Sequence, residues 1–167
     1  MDLHLHFSRL FDYEVWCTPR VVGSLKAAKE NVERLGLASL AAPFERAVAV
    51  FSHVQAARQI WLNRVAQDLT PPPPSGVSPI LPLDQAASAA ETLDVLWRQF
   101  LHRQSEPALH ASVHFKSMDG TPHESALADI LTHVINHSTY HRGQIALLIA
   151  QSGTKPAGTD FITFTRK

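Results

Sequence analysis

The sequence predicts an all-α protein, a four-helix bundle with a small β-hairpin inserted before its last helix. Three observations lead there. Four stretches, near residues 3–36, 43–69, 85–103 and 125–151, carry apolar side chains at helical spacing. A proline-rich run, TPPPPSGVSPILP at residues 70–82, divides the second stretch from the third, and a segment with alternating apolar residues divides the third from the fourth. The 167 residues suffice for one domain and are too few for two of ordinary size, so residues 1–167 are read as a single domain.

The first helix draws its apolar surface from Leu3, Phe7, Leu10, Phe11, Trp16, Val22 and Leu25. Thr18 followed by Pro19 predicts a kink or restart, because proline suits the first helical position and disrupts later ones. Tyr13 and Trp16 read as core aromatics, and Gly36 as a stop signal. Pro43 opens the second helix, which runs to about residue 69. There Val50, His53, Ala57 and Trp61 follow steps of three and four, which turns His53 inward. Consecutive prolines exclude helix from residues 70–82 and favour an extended connection, read either as a crossover along the bundle or as a loose surface loop. Asp84 is expected to cap the third helix, whose apolar set is Leu93, Leu96, Trp97, Phe100 and Leu101. From Ala108 to Lys116 apolar and polar residues alternate, Asp119-Gly120 signals a turn, and Thr121 to Glu124 supply a return strand. Ser125 is expected to cap the last helix, which stops near Ser152-Gly153. Phe161, Ile162 and Phe164 in the tail are expected to dock on the bundle or on a second subunit.

Composition excludes several classes of function. Fifteen basic residues balance fifteen acidic ones with no clustered run of either, so neither a nucleic acid nor a membrane surface is an expected partner. Cys17 is the single cysteine, which rules out an intrachain disulfide and a cysteine-based zinc site and fits a reducing cytoplasm. The opening residues lack the pattern of a secretory signal, and no stretch approaches the roughly 18 apolar residues of a membrane span.

Chemistry is concentrated in SALADILTHVINHSTYHRGQIALLIAQ, residues 125–151, where His133, His137 and His141 recur every four residues. Ile130, Val134, Ile145 and Leu148 form an apolar stripe, and His137 and His141 fall in the same sector. Side chains four apart on a helix have Cβ atoms roughly 5–6 Å apart, so two imidazoles can converge on one ion. The bland alternative is a pair of core histidines satisfied by side-chain or water partners. Three inward histidines on the second and fourth helices would leave a bound metal with an open position, as in catalytic centres.

The segment LTHVINHSTYHRGQIALLI resembles the signature of the DinB/YfiT-like superfamily of metal-binding four-helix bundles. RLFDYEVW, HVQAARQIWLNRV, SMDGTP and TDFITF support the likeness over most of the chain. The resemblance implies that His53, His137 and His141 are metal ligands, that the ion is zinc or nickel, that the helices run up-down-down-up, and that the protein forms a homodimer. His133 begins the same register but falls toward the edge of the apolar stripe, so it is read as a residue supporting or packing on the ligands. The resemblance further implies a thiol-dependent transferase or isomerase, or a hydrolase, acting on a small molecule with a low-molecular-weight thiol as co-substrate. Where many members carry an acidic residue shortly after the histidine of the second helix, this chain has Ala56, Ala57 and Arg58.

Two readings compete. In one, the metal activates a thiol or a water for attack on a small electrophile, with no catalytic acid or base assigned; Tyr140 and Arg142 are weighed as substrate contacts and neither is chosen. In the other, a non-catalytic metal-binding or stress-response bundle uses the ion to tie helices together, and Trp61, Tyr140 and the tail should then close over it. A plain interaction module with core histidines remains as a third.

Overall fold

The computed structural model describes residues 2–70 and 79–166. In chain order these form α1 (Leu3–Leu35), α2 (Ala38–Val65), α3 (Leu83–His102), α4 (Glu106–His110), β1 (Ser112–Lys116), β2 (Pro122–Ala126), α5 (Leu127–Gln151) and α6 (Phe161–Thr165). The described residues are thus mostly helical with one small antiparallel hairpin, and the two short helices α4 and α6 add to the four that the sequence predicts. Most of the predicted proline crossover, residues 71–78, lies outside the described residues.

Helix α1 is anchored at both ends. The Asp2 carboxylate accepts the Leu5 N–H at 2.8 Å, and Gly36, in the left-handed region at φ 64°, donates its N–H to Val32 O. The expected restart near Thr18 does not occur: α1 runs unbroken through Pro19. Thr18 Oγ1 donates to Glu14 O and Arg20 Nη1 to Trp16 O beside the proline. Burial of Phe11 and Cys17 before it and of Val21 and Leu25 after it keeps one face of the helix in the core, and packing outweighs the local penalty.

Helix α2 starts at Ala38, five residues ahead of Pro43, and stops at Val65 instead of reaching residue 69. Pro43 is tolerated because the carbonyl its ring displaces, that of Ser39, lies in the first turn. The inward face also differs from the expected one. Ala47, Phe51, Val54, Arg58 and Leu62 are buried, whereas Val50, Ala57 and Trp61 are half-buried and His53 is exposed. Asp84 sits in the first turn of α3, where its charge suits the helix dipole, and Pro82 takes the capping position. Ser125 pairs with Val113 in the hairpin, so Ala126 precedes α5 without a side-chain cap.

Strands β1 and β2 pair from Ser112 with Ala126 to Lys116 with Pro122. Gly120 turns the chain at φ 86°, and hydrogen bonds from Ser117 and from the Thr121 N–H hold the Asp119 carboxyl down to about 2. Arg64 fastens the hairpin to α2: its guanidinium lies over Trp61 and Phe115, 4.5 and 5.1 Å from the ring centres, and donates to Lys116 O at 2.9 Å. The tail docks on α1. Tyr13 donates to Thr159 O and meets Phe161 edge-on at 5.1 Å, while Trp16 meets Phe164 at 5.8 Å.

The interior has two apolar halves. One gathers Phe7, Phe11, Leu62, Trp97, Leu131 and Val134. The other gathers Val21, Leu25, Phe51, Ala90, Ile145 and Ile149. Between them on every long helix lies a polar residue that burial obliges to find a partner. Glu14 of α1 pairs with Arg142 of α5, and Arg58 of α2 pairs with Asp94 of α3 at 2.7 Å, all four nearly free of solvent. Removing one member strands a buried charge. Glu14→Ala should therefore lower unfolding free energy by about 3–5 kcal/mol in urea titration, and Glu14→Leu combined with Arg142→Met should recover most of that loss.

Candidate metal centre

The groove between α2 and α5 carries the three histidines at the level of this polar belt. His137 and His141 stand one turn apart on α5 with ring centres 4.4 Å apart, and His53 reaches them from α2 at 5.2 and 4.9 Å. One nitrogen from each ring lies within 4.8 Å of the others, a spacing that could hold a metal ion. Three imidazole nitrogens suit a borderline cation such as zinc or nickel, so the residues present fit the implied group.

The cluster does not sit in the core as the spacing suggested. His53 is exposed and the α5 pair is half-buried. Their chain neighbours Ser138 and Arg142 take the inward positions instead, one residue further round the helix. Arg142, weighed as a substrate contact, is committed to Glu14. Tyr140 stands beside His141 at 5.1 Å and is 66% exposed. His133 is exposed, lying 5.7 Å from the His137 ring and 5.2 Å from Trp61, outside the convergent group.

A residue not singled out from sequence helps to set the donor geometry. The side-chain oxygen of Gln144 lies 2.8 Å from His141 Nδ1, so Nδ1 carries the proton and donates, and Nε2 keeps its lone pair for an ion. The signal was present in the spacing: Gln144 follows His141 by three residues, on the same helical face. Burial, aided by His141, His53 and His133, pushes the His137 imidazole down to about 4, and burial together with His141 also lowers His53. Both rings are therefore neutral near pH 7, as ligands must be. Cys17 is no rival nucleophile: it is 1% exposed, and burial pushes its thiol up to about 11.

Two outcomes follow from this geometry. An unfolded histidine titrates near 6.5 and folded His137 near 4, so the unfolded chain binds the extra proton between those values. Stability of the metal-free protein should fall as pH drops through that window, and melting curves at both ends of it should show a smaller loss for His137→Asn. Gln144→Ala should weaken zinc binding about 10- to 100-fold in competition with a chromogenic chelator, without lowering the melting temperature of the metal-free protein.

A family model described as DinB family matches residues 20–167, a span holding all three histidines. The chain is 25% identical over 158 residues to Protein DinB of Bacillus subtilis (strain 168), covering 92% of this chain and 90% of that protein. No solved structure matches it. With a match over most of its length and three imidazoles converging within that match, the chain belongs to the DinB family.

Proposed function

We propose that this protein is a metal-dependent enzyme that promotes attack of a low-molecular-weight thiol, or of water, on a small electrophile. His53, His137 and His141 are its ligands for a divalent cation, zinc or nickel. The carrying observation is the convergence of three nitrogen donors at a solvent-facing rim. A cation bound there supplies Lewis acidity, which favours the ionised form of a thiol or water beside it.

The chain's own residues divide the remaining work. His137 and His141, on one rigid helix, hold two donors at a set separation, and Gln144 keeps the second of them in its ligating tautomer. His53 faces water and leaves one side of the centre approachable. Because Cys17 is buried and protonated, the attacking sulfur comes from a co-substrate. Ala56 and Ala57 offer no acid or base, and Arg58 is held by Asp94, so the proton released by the nucleophile passes to solvent.

The non-catalytic reading calls for a closed site. Tyr140 is exposed and the tail helix packs on Tyr13 and Trp16 of α1, which favours the open, enzymatic reading. We further propose that residues 1–167 form one domain, an up-down-down-up bundle. Support comes from the order in which helices meet the two apolar halves: α1 and α5 run from the first to the second, α2 and α3 from the second to the first. Exposed Leu147, on the outer face of α5, supports a homodimer.

The test is thiol addition to a chromogenic electrophile by zinc- or nickel-loaded protein. His137→Ala should reduce the rate to that of chelator-treated wild type; equal rates for loaded wild type and variant would overturn the assignment.

A further inference from the structure

His53 borders a second space besides the one it shares with the α5 histidines. A groove of about 410 Å³ runs along the same face of α2, walled by Ala49, Ala56, Ala57 and Ile60, by Ile80 ahead of α3, and by Met118 of the hairpin turn. The helical positions explain the continuity. Relative to His53 these α2 residues stand at minus four, plus three, plus four and plus seven, so the groove extends from the imidazole in both directions along the helix. Its volume lies in the range of small-molecule sites, roughly 300–1,000 Å³.

The walls select by chemistry. No Asp, Glu, Lys or Arg lines the groove among the described residues. The hydroxyl of Ser52 is already engaged, accepting the Leu81 N–H at 2.8 Å. Ile80 and Met118 are 69% and 70% exposed, apolar surface that gains by being covered, and the unbranched Met118 adapts to occupants of different shape. Ala56 and Ala57 leave room where longer side chains would fill the groove.

We propose that this groove is the substrate-specificity pocket of the metal centre and takes an uncharged alkyl or aryl group of the electrophile, whose reacting end then lies at the three imidazoles. This assignment rests on the metal-dependent function proposed above. Small side chains beside His53 admit the apolar group, and Ile60, Ile80 and Met118 bury it.

Straight-chain hydroxamic acids test it, because the hydroxamate head grips zinc while the tail reports the groove. The zinc-loaded full chain is titrated calorimetrically with the series from acetohydroxamate to octanohydroxamate. Affinity should rise about fourfold for each methylene that enters the groove, and a terminal carboxylate on the longest tail should cancel the gain. Ala57→Phe, which fills the groove, and Ile60→Asn, which makes it polar, should each flatten the series. Acetohydroxamate reports the cation alone. If it binds and the wild-type series is flat, or if both variants keep the wild-type slope, the groove assignment is overturned; if zinc-loaded protein fails to bind even acetohydroxamate, the metal-dependent function falls and the groove assignment with it.

Discussion

Burial of charge is the constraint on which the rest of this architecture depends. Glu14, Arg58, Asp94 and Arg142 lie in a layer between two apolar halves, where an ionised group without a partner is far more costly than a misplaced methyl. The pairs join α1 to α5 and α2 to α3, so sliding or rotating any long helix would separate charges that have almost no access to water. The layer therefore fixes register as well as contributing energy. Because Arg142 directly follows His141, and Arg58 lies five residues beyond His53, the register that satisfies the ion pairs is the one that brings the imidazoles together.

This coupling explains why the centre lies at the rim. The inward positions at this level of α2 and α5 are taken by Arg58, Ser138 and Arg142, and the histidines occupy the adjoining face. That face is where a small molecule can arrive, and His53 has two sides there: one meets the α5 histidines and the other borders an apolar groove. Half-burial of His137 keeps its ring in the neutral form without sealing it from solvent.

The sequence was informative where a residue type has few physical uses. Gly36, Gly120 and Gly153 sit at left-handed positions that end α1, turn the hairpin and follow α5, and each reads directly from the chain. The α5 pair His137 and His141 was legible for the same reason, since imidazoles at four-residue spacing have few roles on one helical face, whereas His53 joined them only through the family resemblance. The face of α2 was not legible. From Ala47 to Leu62 apolar residues lie almost all round the helix, several three-and-four ladders fit equally well, and the correct one passes through Arg58, which no rule based on hydrophobicity places inside. Capping was misjudged where a competing use existed: Ser125 is drawn into the hairpin by its pairing with Val113. Helices α4 and α6 are five residues each, too short for any periodicity to register.

The donor set has a consequence for selectivity. An imidazole carries no negative charge, so a dication held by His53, His137 and His141 would receive none from these side chains. Such a centre would favour anionic visitors and rank them by how readily they ionise: at a given pH the more acidic of two thiols would have the advantage, and halide or carboxylate buffers would compete for the same place.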